Sequence, residues 1–284
     1  MSLEQVSSNR MFGGQQLKLK HRSEVLGCDM VFSVYLPPDA GPDHKVPVIY
    51  WLSGLTCSDD NFVQKAGAQQ YAAEAGVAIV CPDTSPRGAG VPDDEKQAYD
   101  FGLGAGFYVN ATQTPWSQHY HMYDYVTVEL PRVLEHSELP LDTANCSIMG
   151  HSMGGHGALT IALKNPGSYR AVSAFSPICS PMSAPWGHKA LGGYLGEDRA
   201  AWAEYDTVAL LPQAKEKLHI LVDQGQDDNF LAEQLKPELL QAACLQAKHP
   251  LTLRLHAGYD HSYFFIATFI ADHIAHHADA LWKP

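Results

Sequence analysis

The sequence predicts an α/β fold with a mostly parallel central sheet, N-terminal antiparallel strands and helices on both faces. Nearly continuous apolar runs are the first observation, because strands buried on both faces of a parallel sheet have this pattern. Helical patterns between the runs are the second, and an alternating segment before them is the third. The apolar runs lie at 46–52, 77–81, 146–149, 172–175, 218–222 and 251–255, and the helical patterns lie near 61–75, 123–137, 153–164, 231–247 and 262–279.

The N-terminal segment alternates polar and apolar side chains. Residues 17–20 and 30–36 have the period of two that is typical of half-buried antiparallel strands. Pro37 and Pro38 then end this hairpin. Strand and helix alternate in the rest of the chain, which favours one doubly wound domain over residues 1–284. In such folds ligands bind beyond the carboxyl ends of the strands.

Two long stretches do not follow this alternation. Residues 84–122 and 177–215 are rich in glycine, proline and aromatic side chains, and they are weakly periodic. Loops of this length inside a compact domain are usually functional. We therefore expect both stretches to form walls or lids over a site.

The composition is that of an acidic globular protein. Of the 284 residues, 45% are apolar and 18% are charged, and the formal net charge is −12. Nucleic acids and anionic membranes attract basic surfaces, so we expect neither as a partner. No apolar run approaches the roughly 20 residues of a membrane span, and we expect no export signal. Six scattered cysteines without C-x-x-C spacing indicate reduced thiols and a cytoplasmic protein.

A serine at a sharp bend is the candidate nucleophile. Residues 150–154, GHSMG, match G-x-S-x-G between a predicted strand and a predicted helix. This turn lifts the Ser152 hydroxyl above the sheet, and the flanking glycines remove side chains that would clash. The Met153 N–H at the start of the helix is a candidate oxyanion donor. A serine N-cap in a glycine-rich turn is the alternative interpretation.

Chain order selects the base for Ser152 among fifteen histidines. In hydrolases with this turn the order is serine, acid and histidine, with each partner on a loop after a later strand. His261 follows the predicted strand at 251–255 and fits this order. His151 and His156 are too close to Ser152 in sequence to act as its base, and helix packing is the expected explanation for both.

Three histidines near the C-terminus have the spacing of a metal cluster. His273, His276 and His277 stand at i, i+3 and i+4 in the predicted final helix. They lie in its last turns, where cationic or polar groups complement the helix dipole. We therefore expect no metal, and hydrolysis through a serine needs no cofactor.

The acid is expected in the loop after the strand at 218–222. Asp223, Asp227 and Asp228 are the three carboxylates there. Asp223 is expected at the strand end, whereas the other two lie where a loop can reach His261. Asp228 is preferred, but spacing does not exclude Asp227. Either of the two could instead cap the next helix.

A second oxyanion donor is usually supplied by the loop after the third strand. Here that loop is residues 53–57, SGLTC, in which the Leu55 N–H is the candidate donor and Gly54 permits a close approach. Losing one such donor costs about 100- to 1000-fold in turnover. A plain turn at the end of a strand is the alternative for this loop.

Together these residues resemble the esterase D family of S-formylglutathione hydrolases. The resemblance implies an α/β-hydrolase fold, a catalytic triad of Ser152, Asp228 and His261, and oxyanion amides from Leu55 and Met153. It also implies that the second aspartate of the pair is the acid and that the substrate is the glutathione thioester of formate. The stretches that carry the resemblance are 52–57, 61–62, 65–68, 82–88, 150–157, 223–225, 227–230 and 258–263.

Cys57 follows the oxyanion loop and is expected near the acyl site. We expect it not to be the nucleophile, although a bulky thiol reagent on it would block the pocket. A buried small apolar residue is the alternative interpretation. Aromatic side chains from the long stretches could wall a tight formyl pocket or could belong to the core. These candidates are Phe107, Tyr108, Trp116 and Trp186.

Basic side chains are expected along the groove for the thiol part of the substrate. Glutathione carries carboxylates, and Lys65 or Arg87 could meet them despite the acidic total. A general short-acyl carboxylesterase, an inactive hydrolase-fold binding protein and an acyltransferase are the alternative functions. A homodimer is expected, because it is the commonest assembly and the resemblance favours it.

Overall fold

A nine-stranded sheet lies at the centre of this computed structural model, in which residues 3–283 are described. The described strands are Leu3–Met11 (β1), Gly14–Arg22 (β2), Asp29–Leu36 (β3), Val46–Leu52 (β4), Ala78–Pro82 (β5), Leu141–His151 (β6), Val172–Phe175 (β7), Ile220–Gly225 (β8) and Leu251–His256 (β9). Their order across the sheet is β1-β2-β3-β5-β4-β6-β7-β8-β9.

The sheet is antiparallel on one side and parallel on the other. The pairs β1–β2, β2–β3 and β3–β5 are antiparallel. The pairs from β5 through β4, β6, β7 and β8 to β9 are all parallel. The predicted mostly parallel sheet with antiparallel N-terminal strands is therefore confirmed.

The two outer strands of the sheet differ from the sequence-based expectation. Strand β1 was not predicted, because nearly all of its side chains are exposed and it has no apolar alternation to detect. Strand β9 was expected to be buried on both faces, but most of its side chains are only half-buried. Both lie at an edge of the sheet, where only one neighbouring strand covers the backbone.

Helices cover both faces of the sheet, as predicted. The described α-helices are Asp60–Lys65 (α1), Ala68–Ala75 (α2), Met122–Asp124 (α3), Leu130–Glu135 (α4), Met153–Lys164 (α5), Pro185–Leu195 (α6), Arg199–Ala203 (α7), Thr207–Leu210 (α8), Pro237–Ala247 (α9) and Tyr263–Leu281 (α10).

Three of the predicted helices are divided in the structure. The pattern at 123–137 forms α3, a π-helical turn at Tyr125–Glu129 and α4. The pattern at 61–75 forms α1 and α2, because Gly67 between them has a φ of +66°. The pattern at 231–247 forms a π-helical turn, Leu231–Leu235, followed by α9. Lys236, which has a φ of +51°, separates these two segments. It directly precedes a proline, and steric clash with the proline ring disfavours the α conformation at that position.

The stretch at 177–215 was expected to be loop, and this expectation is wrong. It contains α6, α7 and α8. Helix α6, PWGHKALGGYL, carries three glycines, and glycine weakens helix propensity, which explains the weak periodicity. The stretch at 84–122 is mostly without regular structure, as expected, apart from a 3₁₀ turn at Trp116–Gln118.

Strand β4 shows why the apolar runs in this sequence are continuous. All of its side chains are buried, and successive side chains point to opposite faces. Val48 and Tyr50 belong to the hydrophobic core on the side of α5. Ile49 and Trp51 belong to the core on the side of α2 and α10. A strand covered by helices on both faces therefore needs no polar positions.

Two of the three histidines near the C-terminus, His273 and His277, belong to a buried hydrogen-bond network. The Ser173 hydroxyl lies 2.8 Å from Nδ1 of His273 and 2.7 Å from Nε2 of His277. Nε2 of His273 lies 3.2 Å from the carboxylate of Asp223. Asp223, which the sequence placed at the end of a strand, lies within β8. Burial lowers the pKa of His273 and His277, and lowers that of His276 to about 4. With lowered pKa values these side chains are neutral at pH 7, so of the two expected ways to complement the helix dipole, as cationic or as polar groups, only the polar one remains.

Two further observations concern membrane-spanning helices and groups of metal-binding side chains. Within residues 3–283, no helix is long and apolar enough to cross a membrane. In the same part of the chain, no three His, Cys, Asp or Glu side chains are grouped so that they could hold a metal ion.

Candidate active site

Ser152 stands at the turn between β6 and α5, with its backbone in a strained conformation. Its φ is +57° and its ψ is −118°, a region that L-residues rarely occupy. The flanking glycines make this turn possible. A Cβ atom on Gly154 would lie 1.9 Å from the Leu52 carbonyl oxygen, and one on Gly150 would lie 2.2 Å from that of Gly154. The sharp strand-to-helix turn predicted from the sequence is present.

Asp228 and His261 form a short hydrogen bond. Oδ2 of Asp228 lies 2.6 Å from Nδ1 of His261. Oδ1 of the same carboxylate accepts a bond of 2.9 Å from the Phe230 N–H. Asp228 thus contacts the histidine and also holds the backbone before the next helical turn, Leu231–Leu235, but that turn has Phe230 as its N-cap and no side-chain cap. Asp227 is exposed, and its backbone N–H donates to the Tyr259 carbonyl.

The orientation of His261 has a chemical consequence. A carboxylate that accepts the Nδ1 proton leaves the lone pair of Nε2 free to accept another proton. Ser152 and His261 line the same cavity, of about 360 Å³. Among the described residues, no hydrogen bond joins the two side chains. A bond between a catalytic serine and its base often tightens only in the complex with substrate.

The loop after β4 approaches Ser152 closely. A Cβ atom on Gly54 would lie 3.1 Å from Cβ of Ser152. The loop is held by bonds from the Thr56 N–H to Gly104 and from the Tyr108 hydroxyl to Ser53, both 2.9 Å long. The structure contains one N-terminal strand, β1, that the sequence did not predict. This loop therefore follows the fourth strand of the structure, although it follows the third predicted strand.

The two predicted oxyanion donors belong to two different elements next to Ser152. Leu55 lies in the loop after β4 and lines the cavity. Met153 is the first residue of α5, where helix N–H groups lack carbonyl partners within the helix. Within residues 3–283, neither backbone N–H donates a hydrogen bond to another residue. Both amides are therefore available to a ligand atom next to Ser152.

Comparison with known proteins identifies the family of this chain. A family model described as "Putative esterase" matches residues 23–276. An S-formylglutathione hydrolase of Arabidopsis thaliana is 55% identical over 280 residues, covering 98% of both chains. That of Mus musculus is 54% identical over 283 residues, covering 99% of both. The chain belongs to the S-formylglutathione hydrolase family.

Solved structures agree with this family and with the fold. The structure of an S-formylglutathione hydrolase from Agrobacterium tumefaciens superimposes with a TM-score of 0.94 at 49% identity, covering 98% of this chain and 99% of the other. FphF, a fluorophosphonate-binding serine hydrolase of Staphylococcus aureus, has a TM-score of 0.74 at 20% identity and shows the fold alone. The predicted α/β-hydrolase fold, the resemblance to this family and the prediction of an enzyme are confirmed.

The three predicted substrate-binding residues of this family member all line the cavity with Ser152. They are Cys57, Lys65 and Trp186. Burial raises the pKa of the Cys57 thiol, which keeps it protonated and weakly nucleophilic at neutral pH. The Trp186 indole N–H lies 3.1 Å from the Tyr99 hydroxyl, and its ring packs against Phe230. Lys65 is exposed at the edge of the cavity.

Four other candidates from the sequence do not line this cavity. Phe107, Tyr108 and Trp116 are buried in the hydrophobic core, the alternative that the sequence had left open. Nε of Arg87 lies 2.8 Å from Oδ2 of Asp83, so the Arg87 guanidinium is already paired with a carboxylate of this chain. Residue type alone did not separate these side chains from Trp186 and Lys65, because the direction of each depends on the path of the long loops.

Several cavity residues were missed by the sequence analysis. His151 is the main example, because it was attributed to helix packing but ends β6 and packs against the ring of His261. His156 does fit the helix-packing explanation, with Nε2 2.9 Å from the Phe107 carbonyl. Position directly before the candidate nucleophile was the available signal for His151. The other missed residues are Thr56, Asn61, Tyr99, Phe230 and Tyr263.

Proposed function

We propose that this member of the family hydrolyses S-formylglutathione to formate and glutathione through an acyl-enzyme on Ser152. One observation carries the proposal. His261 is held by Asp228 at 2.6 Å and shares a cavity with a serine in a strained turn. The names of relatives at 53–55% identity support the choice of substrate.

The first half-reaction forms the acyl-enzyme. Nε2 of His261 takes the proton of the Ser152 hydroxyl while Oγ attacks the formyl carbon. The N–H groups of Leu55 and Met153 stabilise the negative oxygen of the tetrahedral intermediate. The carbon–sulfur bond then breaks, and glutathione leaves with the proton from the imidazolium. Asp228 orients the imidazole and offsets its positive charge throughout.

The second half-reaction releases formate. His261 takes a proton from water, and the resulting hydroxide adds to the formyl carbon of the acyl-enzyme. Collapse of the second tetrahedral intermediate breaks the carbon–Oγ bond and returns the proton to Ser152. The balance is one thioester and one water consumed for one formic acid and one thiol produced. Each proton is carried by a side chain of this chain.

A general short-acyl carboxylesterase is the second candidate, and the cavity walls favour it. Tyr99, Trp186 and Phe230 present aromatic surface in a cavity of about 360 Å³. That surface also suits acyl or leaving groups that carry no peptide. The ratio of specificity constants for S-formylglutathione and a simple aryl acetate separates the two functions. A ratio well above one supports the thioester, and a ratio well below one supports the esterase.

The test of the mechanism uses Ser152→Ala and the parent enzyme. Formate release from S-formylglutathione is expected to fall by about 10⁵-fold or more in the variant. A fluorophosphonate probe is expected to label the parent and not the variant. A parent enzyme that releases no formate would refute the substrate. A variant that retains activity would refute the nucleophile.

The chain organisation and setting are also part of the proposal. We infer a single domain, a homodimer and a cytoplasmic location for this chain. All six cysteines are buried and free, which fits a reducing compartment. Light scattering on the purified protein measures the mass, and a value near 31 kDa instead of twice that would exclude the dimer.

A further inference from the structure

Lys65 is the only Lys, Arg, Asp or Glu side chain among the described residues that line the active-site cavity. It ends helix α1, and its ammonium lies 5.7 Å from the centre of the Tyr263 ring. Within residues 3–283, Lys18 and Lys189 are paired with carboxylates, whereas Lys65 forms no ion pair. Among the described residues, the Lys65 ammonium therefore has an aromatic contact but no carboxylate partner, so it can meet a ligand carboxylate at the edge of the cavity.

Asn61 adds a second donor on the same face of the helix. It precedes Lys65 by four residues, and side chains at i and i+4 are neighbours on a helix. Asn61 also lines the cavity. Its side-chain oxygen accepts a bond of 2.9 Å from the Ser58 N–H, which directs the amide nitrogen away from that bond. An ammonium and an amide N–H₂ thus border one part of the cavity edge.

The charge of the whole chain makes this position significant. At a net charge of −12, the protein repels an anionic substrate at long range. Glutathione carries two carboxylates and one ammonium. With its acyl group at Ser152, the peptide part of the thioester has to lie elsewhere in the cavity, which Lys65 also lines. A local cation there both offsets the repulsion and orients the substrate.

We propose that Lys65 and Asn61 form a carboxylate-binding subsite for the peptide part of the glutathione thioester. This inference rests on the function proposed above and adds a determinant of substrate selection. Helix-dipole complementation is the competing role for a lysine at a helix end. Helix α1 has only six residues, however, and that role would not place the ammonium at the cavity.

The test compares Lys65→Met with Lys45→Met. Lys45 is exposed and directly precedes β4, at the opposite end of that strand from the cavity, so both variants lose the same charge. Specificity constants are measured for S-formylglutathione and for 4-nitrophenyl acetate, which has no carboxylate. The ratio of the two constants is expected to fall about three- to fivefold in Lys65→Met, mainly through KM, as for an exposed ion pair. The ratio is expected to be unchanged in Lys45→Met.

Two further measurements decide the interpretation. Lys65→Arg is expected to restore most of the ratio, because it restores the positive charge. A thioester whose glutathione carboxylates are methylated is expected to distinguish the parent from Lys65→Met much less than S-formylglutathione does. An unchanged ratio in Lys65→Met would overturn the subsite, and so would equal losses with both substrates. A parent enzyme inactive on S-formylglutathione would instead refute the proposed function.

Discussion

The imidazole of His151 lies against the imidazole of His261, with ring centroids 4.4 Å apart and planes inclined at 43°. His151 is buried, and among the described residues neither of its ring nitrogens has a hydrogen-bond partner. Burial, together with the neighbouring His261, lowers the pKa of His151 well below its ordinary value. His151 is therefore neutral at physiological pH, so it adds no second positive charge when His261 is protonated.

The first prediction concerns this contact. His151→Ala removes the surface that supports His261, and kcat is expected to fall by at least about tenfold, because misplacing a catalytic group by about 1 Å costs up to about 100-fold. His151→Phe keeps a ring at this position and is expected to retain kcat within about threefold of the parent. Steady-state kinetics and thermal unfolding are measured on both variants. Equal losses in the two variants would contradict a positioning role for the ring.

The second prediction separates the two neighbouring aspartates. Asp228→Asn places an amide beside Nδ1 of His261 and favours the wrong tautomer, so kcat is expected to fall by about 10⁴-fold. Asp227→Asn changes an exposed side chain outside the cavity and is expected to stay within about twofold of the parent. Turnover of S-formylglutathione measures both. Loss of activity in the Asp227 variant alone would reverse the assignment.

The third prediction concerns the approach of the loop after β4 to Ser152. The Cβ atom in Gly54→Ala would lie 3.1 Å from Cβ of Ser152 and 3.3 Å from Nδ1 of His151. The loop must shift to relieve this crowding, and the Leu55 N–H shifts with it. Turnover is expected to fall by at least about tenfold, since a lost donor costs about 100-fold or more.

Gly41→Ala is the matched control for this loop variant. Its Cβ atom would meet no atom within 4 Å, and its φ is not positive. Its turnover and unfolding temperature are expected to equal those of the parent. Full activity in Gly54→Ala would show that the loop does not place an oxyanion donor.

The fourth prediction is a pH dependence of stability. Burial lowers the pKa of His156 from 6.5 to about 4. Between these values the unfolded chain binds more protons than the folded chain. The free energy of unfolding therefore falls as the pH drops from about 6.5 toward 4, by at most about 1.4 kcal/mol per pH unit from this residue.

His156→Gln removes this titration while keeping a donor for the Phe107 carbonyl. Denaturant unfolding at constant salt is measured from pH 8 to pH 4.5. The variant is expected to have a shallower slope than the parent below pH 6.5 and the same slope above it. If the two curves of unfolding free energy against pH were parallel over the whole range, a lowered pKa of His156 in the folded chain would be contradicted.

The sequence predicted the parallel part of the sheet because strands that are buried on both faces consist of nearly continuous apolar residues. Each apolar run corresponds to a strand, and the helix after Ser152 has the predicted bounds. The edge strands were predicted less accurately, because an exposed strand such as β1 needs few apolar positions. Glycine-rich α6 was missed for a related reason, since close packing permits glycines that weaken the helical pattern.

By itself, the sequence determined which residues are candidates for the chemistry. Backbone geometry and chain order are local or sequential properties, so the turn at Ser152, the later His261 and a nearby aspartate were all identifiable. The tertiary structure alone decided which side chains share the cavity. It placed His151 against His261 and joined Asp228 instead of Asp227 to the histidine. Among the described residues it left Lys65 without an ion pair, whereas Arg87 is paired with Asp83. These outcomes depend on contacts between residues distant in sequence, and such contacts are fixed only when the loops pack against the sheet.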